Sequence, residues 1–236
     1  MRDEREEKRP LSLEVTDAIR YSILSGKFAP GEKMKEAELS NDLLVSRAMI
    51  REAFIRLESE GLLEKKANRS AYVKKFNERE LYDLSEFRRA LEIAAAERII
   101  DMNMDISQEM ERQLRLMIVR SSGDTYMSLL KLDLKFHSYI VMMCGNKHIK
   151  KAWELLYSQL LLLLYALAKK KYSEIDNLHT DLLESHRSLI EGFRRMDKDN
   201  IREVISEHIG DGFSGINYPF DIDSNVELDI NVGVDY

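Results

Sequence analysis

Leu44-Val45-Ser46-Arg47-Ala48-Met49-Ile50-Arg51-Glu52-Ala53-Phe54-Ile55-Arg56-Leu57 is the stretch that decides the fold. Ser46 has the character of an N-cap, because its hydroxyl can accept from the free N–H groups of a first helical turn. Ile50, Phe54 and Leu57 then recur at helical spacing as one apolar stripe. Arg47 and Arg51 stand four residues apart, so their guanidinium groups project from one side of the first turns. Forked donors there match phosphates and guanine edges in a major groove, and the helix is expected to read DNA, with Ser46 and Ala48 at the same surface.

Upstream, Pro10 and Ser12 precede an amphipathic run through Leu13, Val15, Ala18, Ile19 and Ile23 that closes at Gly26, the pattern of a first helix. Residues 28–32 (Phe-Ala-Pro-Gly-Glu) form a turn, and residues 35–44 a short second helix. Downstream, Gly61 stops the third helix. Residues 62–66 and 71–75 flank the turn-forming Asn68-Arg69-Ser70 as a short hairpin. Three helices and a hairpin make a winged helix-turn-helix.

From Phe76 onward the periodicity is helical. Asn77-Glu78-Arg79-Glu80 resembles a capping box, and Leu81, Leu84, Phe87, Leu91, Ala94 and Ala95 predict the buried stripe of a helix reaching about residue 101. Further helices are expected over residues 107–121, 124–144, 147–170, 173–196 and 199–209, which together read as an antiparallel all-helical bundle. The fold class is therefore mainly α, with domains at 1–75 and 76–210. Residues 211–236 hold six acids and no Lys or Arg, the composition of an acidic, flexible tail.

Charge becomes informative once it is divided. Residues 1–75 carry 16 Lys and Arg against 14 Asp and Glu, a net of +2, whereas the remainder carries 20 against 28, a net of −8. The acidic total of −6 does not oppose DNA binding, because a local basic surface supplies the attraction. The apolar run at 160–164 falls short of the roughly 20 residues that span a bilayer, so no membrane partner is expected. The charged residues 1–9 lead into no signal-peptide core, which places the expected compartment in the cytoplasm. The lone Cys144, beside Met142, Met143 and Gly145, reads as a small buried residue.

Residues 11–75 resemble the DNA-binding domain of the GntR family of bacterial transcription regulators. The carrying motifs are Ile23 through Glu32, Glu38-Leu39-Ser40, Val45-Ser46-Arg47 and Ile50-Arg51-Glu52-Ala53. The later segment resembles the helical FCD effector domain of the FadR subfamily, through Phe87-Arg88-Arg89-Ala90-Leu91-Glu92, Asp133-Leu134-Lys135-Phe136-His137 with Gly145-Asn146, Ser185-His186-Arg187-Ser188-Leu189-Ile190, Asp197 and Glu207-His208-Ile209. The resemblance implies a homodimer on double-stranded operator DNA, regulated by a small carboxylate effector. Lys35 and Arg69 are implied as further DNA contacts.

Asp133 and His137 are four residues apart and can bind one ion from a single helix face; His186 and His208 lie on later helices that a bundle can turn inward. Three imidazoles and a carboxylate suit zinc, nickel or another borderline divalent metal, while the spacing alone also allows solvated or core-paired histidines. The resemblance selects the metal. Arg88 is either a clamp for an effector carboxylate or an exposed cation paired with Glu92, and the resemblance favours an inward-pointing side chain. His148 and His179 read as surface residues, Lys169-Lys170-Lys171 as a solvated helix end, and Met102, Met104, Met110, Met117, Met142 and Met143 as core or interface filling. A rival reading is a metal-dependent hydrolase with an appended winged module. It lacks a candidate general base or nucleophile motif beside the ligands.

Overall fold

The computed structural model describes residues 10–66, 70–119, 126–171 and 174–210. The winged unit comprises α1 (Leu11–Leu24), β1 (Lys33–Met34), α2 (Glu36–Asp42), α3 (Arg47–Ser59), β2 (Leu63–Lys65) and β3 (Ala71–Val73). Ile19, Ile23, Ile50, Phe54, Leu57, Leu62 and Val73 are buried together, so the apolar stripes of α1 and α3 meet over the hairpin. Ser46 caps α3 as expected, its hydroxyl accepting from the Met49 amide at 3.3 Å. The turn before it is held by the Ser40 hydroxyl, which donates to the Val45 carbonyl at 2.6 Å.

Two local readings need correction. The sheet has three strands in the order β1-β3-β2, because Lys33-Met34 pairs antiparallel with Ala71-Tyr72; a two-residue strand carries no periodicity to detect. The second helix runs over Glu36–Asp42, with Lys35 as its extended N-cap and Leu44 beyond it in the left-handed region at φ 54°. Arg69 and the tail at 211–236 lie outside the described residues.

The bundle comprises α4 (Glu78–Asp101), α5 (Ser107–Val119), α6 (Tyr126–Met143), α7 (Lys147–Lys171), α8 (Ile175–Arg195) and α9 (Lys198–Gly210). The capping box forms in full. Asn77 accepts from the Glu80 amide at 2.9 Å, and Glu80 accepts from the Asn77 amide at 2.9 Å. Helix α4 packs on α6, α7 and α9, while α8 packs on α5, α6 and α9. Trp153 is buried and donates to Ser138 at 2.8 Å, which ties α7 to α6.

The buried face of α4 differs from the predicted stripe. Phe87 is 47% exposed, whereas Ser85, Arg88 and Glu92 are buried alongside Leu84, Leu91 and Ala95. Those polar residues follow helical spacing, so α4 turns a polar strip into the bundle. Among the methionines, Met110 and Met117 are core residues, but Met102 is 41% exposed. Cys144 is buried.

The winged unit meets the bundle along α7. A Cβ on Gly61, at φ +69°, would lie 2.5 Å from the Gln159 side chain, and one on Gly26 would lie 3.5 Å from the Tyr165 hydroxyl. Both glycines have a left-handed backbone, and Gly61 also permits a close approach between the units. The Lys131 ammonium stands 5.0 Å from the centre of the Tyr21 ring across the same boundary.

Candidate functional site

Helix α6 carries Asp133 and His137 one turn apart, facing inward between neighbours that deliver His186 from α8 and His208 from α9. One ligand atom from each of the four lies within 4.8 Å of all the others. His186 Nε2 is 3.1 Å and His137 Nε2 3.6 Å from Asp133 Oδ1, while His208 Nε2 is 3.0 Å from His137 Nε2. Phe136 closes one side with its ring centre 4.5 Å from that of His186.

Outer hydrogen bonds decide which nitrogen of each ring is available. His137 Nδ1 faces Glu92 Oε2 at 2.6 Å, and His186 Nδ1 faces the Leu182 carbonyl at 2.5 Å. Both acceptors require a proton on Nδ1, which leaves the Nε2 lone pairs turned into the cluster. Three atoms of the cluster are buried with no hydrogen-bond partner: Asp133 Oδ2, His186 Nε2 and His208 Nδ1. His186 Nε2 is near Asp133 but misaligned for a hydrogen bond. Buried lone pairs left this way are costly unless a cation takes them up.

The electrostatics point the same way. Burial alone would raise the Asp133 carboxyl, yet His137 and His186 outweigh it and hold it well below the usual carboxylate range. Burial and the charges of His137 and His186 push the His208 imidazole well below its ordinary value, so it stays neutral and able to donate a lone pair. Burial lowers His137, but Glu92 and Asp133 more than offset it and raise the imidazole, which marks a position that favours positive charge. A carboxylate and three imidazoles fit a borderline divalent cation, and the four side chains can hold a metal ion.

Arg88 points inward and keeps the pairing with Glu92, inside the bundle and not at its surface as the exposed-cation reading had it. It is 4% exposed and donates to Glu92 Oε1 at 2.7 Å, yet its second terminal nitrogen, Nη2, is buried without a partner. Glu92 is the candidate site residue that sequence reasoning left in a minor role, since it bridges Arg88 and His137. Its spacing from Arg88 was visible; its contact with His137, 45 residues away, was not. A cavity of about 450 Å³ opens beside the cluster, with Arg88, Asp133 and His208 in its wall. His148 is exposed as expected, but His179 is half-buried and does not approach the cluster.

The candidate reading surface on α3 is simpler. Ser46, Arg47, Ala48 and Arg51 are all exposed at the start of the helix, and Lys35 is exposed at the start of α2. Arg51 pairs with Glu36 at 2.8 Å and Lys35 with Glu38 at 2.7 Å, both in solvent. Exposed pairs of this kind contribute about 0–1 kcal/mol, so exchange for phosphate costs little.

Comparison with known proteins places these two units together. Residues 11–73 match the model for bacterial regulatory proteins of the gntR family, and residues 83–211 match the FCD domain. The chain belongs to the GntR family of bacterial regulatory proteins. It is a DNA-binding transcriptional regulator with a C-terminal effector-binding domain. It is 26% identical over 207 residues to the HTH-type transcriptional repressor RspR of Escherichia coli (strain K12), covering 85% of this chain and 86% of that one. It is also 25% identical over 202 residues to a gluconate operon transcriptional repressor of Bacillus licheniformis, covering 84% and 81%. A putative GntR regulator from Rhodococcus sp. RHA1 shares the fold with a TM-score of 0.70 at 20% identity, covering 88% of this chain and 99% of that one. The hydrolase reading has no support among these relatives. Among the described residues, no helix is long and apolar enough to cross a membrane.

Proposed function

We propose that the regulator is a homodimeric, FadR-type repressor whose grip on a palindromic operator is set by an organic acid bound beside a divalent metal. Asp133, His137, His186 and His208 hold the ion in this reading, with zinc or nickel as its identity. The observation that carries it is the buried cluster of three imidazoles and one carboxylate with unpartnered lone pairs. A bound ion would supply Lewis acidity that anchors a carboxylate. Glu92 orients the His137 ring, and Arg88 offers its free nitrogen as a second anchor for the same acid.

Arg47 and Arg51, with Ser46, Ala48 and Lys35 around them, take the operator contacts, and Arg69 is proposed to join them from the wing. Two such readers on two half-sites give the selectivity that one winged unit lacks. Helix α7 joins the two functions, because Leu163 and Leu167 line the cavity while Gln159 lies against Gly61. A ligand that shifts α7 would bias the winged unit through that contact. The working division is 1–75 for DNA, 76–210 for effector and dimerisation, and 211–236 as a tail.

The test uses untagged full-length protein and a duplex that it selects in vitro from random sequence. One ion per chain is expected after reconstitution, and chelation should abolish the effect of small carboxylates on DNA affinity measured by anisotropy. Absence of stoichiometric metal after separate reconstitution with zinc, nickel and manganese would overturn the reading. A monomer by light scattering, unchanged on DNA, would remove the dimer from it.

A further inference from the structure

The cavity beside the ligand cluster is strongly two-ended. At one end lie the polar groups with unmet hydrogen-bonding capacity: Arg88 Nη2, Asp133 Oδ2 and His208 Nδ1. Away from them the wall is built by α7 and α8. Helix α7 contributes Leu163, Leu164 and Leu167, and α8 contributes Leu178 and Leu182. Further polar side chains line the cavity at Ser85 on α4, at Glu184, Ser185 and Ser188 along α8, and at the α7–α8 end, where Lys171 pairs with Asp181 at 3.4 Å. Its volume of about 450 Å³ falls within the range of small-molecule sites.

This arrangement discriminates among organic acids. A carboxylate fits the polar end whatever its body, because the free Arg88 Nη2 donates there and a cation held by Asp133 and the histidines would add a second attraction. The body must then lie along leucine side chains. A polyhydroxylated chain would turn several hydroxyls toward carbon, and each would give up water without a replacement. An aliphatic or aromatic body gains from the same contact, at roughly fourfold in affinity per methylene buried. The leucine wall is continuous from one turn of α7 to the next, so the preference extends past the first carbons of the ligand.

We infer that the effector is a monocarboxylate with an apolar body, aliphatic or aromatic, seated with its carboxylate toward Arg88 and the Asp133–His208 cluster and its body against the leucines of α7 and α8. The inference rests on the proposal that this domain binds a carboxylate, and adds the chemical class of the rest of the molecule. It also sets this chain apart from a regulator named for gluconate, whose body is hydroxylated at every carbon.

Isothermal titration of the zinc-loaded, full-length protein with butyrate, pentanoate, hexanoate and phenylacetate, beside gluconate and citrate, tests it. Affinity is expected to tighten about fourfold per methylene from butyrate to hexanoate, with phenylacetate bound and gluconate weaker than hexanoate. Leu167→Gln should flatten the chain-length series, its zinc content serving as the check that the bundle has folded. Should that variant not fold, the wild-type series decides alone. Gluconate or citrate as the tightest ligand would overturn the inference while leaving the carboxylate reading in place. No binding by any of the six would overturn that reading and the inference with it. A flat wild-type series, with hexanoate no tighter than butyrate, would likewise overturn the apolar body.

Discussion

The candidate reading helix and the candidate ligand cluster put charged and polar side chains to opposite use. On α3 the functional groups are exposed, contiguous in sequence and mounted on a helix whose other face is buried by Ile50, Phe54 and Leu57. In the bundle, Asp133, His137 and His186 are at most 2% exposed, and the set is collected from α6, α8 and α9. Solvent screens the first region, so its cations are held loosely and can trade Glu36 or Glu38 for a phosphate. The second region excludes water, so every unpaired atom there matters and each neighbour shifts the next. A surface that must meet a partner keeps its options open; a cluster that can hold an ion fixes two of its three rings, His137 and His186, through a second hydrogen bond.

The comparison breaks most visibly at a ligand. His186→Ala should weaken zinc binding by more than the roughly 100-fold upper range seen for loss of an outer partner, as measured by competition with a chromophoric chelator. DNA affinity without effector should stay within about twofold, because α3 touches none of these residues. Wild-type zinc affinity in that variant would remove the cluster as a metal site.

Glu92→Gln comes next. It keeps the shape but weakens the acceptor for His137 Nδ1, so a loss of about 10-fold to 100-fold in metal affinity is expected. Because Glu92 also holds Arg88, carboxylate binding should fall with it. An unchanged zinc affinity would reduce Glu92 to a packing residue.

Arg51→Ala should cost about 1–3 kcal/mol on the selected duplex if it reads a base, with a smaller loss on random DNA. An equal loss on both would make it a phosphate contact, and no loss on either would discard it. Zinc binding should be unaffected in every case.

The smallest effect lies just before the reading helix. Leu44 is 92% exposed and sits at φ 54°, a conformation that a leucine side chain disfavours. Leu44→Gly relieves that strain but adds freedom to the unfolded chain, so a net gain of up to about 1 kcal/mol is expected, or roughly 2–4 °C in melting temperature. A lower melting temperature would mean that the exposed side chain makes contacts which outweigh the strain.

Much of this molecule is written locally. The Ser46 cap, the Asn77–Glu80 capping box and the periodic stripes of the long helices depend on residues a few positions apart, and sequence distance reports such spacing directly. The family motifs carried the ligand set Asp133, His137, His186 and His208 further than periodicity could, since residues on three helices have no local relation to one another. What periodicity misread on α4 is instructive. Phe87 was placed inward by hydrophobicity, yet the helix turns Ser85, Arg88 and Glu92 to the interior. A buried polar strip contradicts a rule based on hydrophobicity alone, and here the Arg88–Glu92 pair within α4 and His137 from α6 supply its partners.

The amino-acid sequence by itself determined the helices, their caps and the two-unit organisation, because those follow from backbone hydrogen bonding and side-chain spacing within one or two turns. Tertiary structure decided that Glu92 bridges Arg88 to His137, that α7 touches both the cavity and Gly61, and that the cavity wall is leucine on one side. Each of these joins residues separated by at least a helix length, or depends on how helices are rotated about their axes. That rotation is set by which buried faces pack together, a property of the whole bundle and of no single segment.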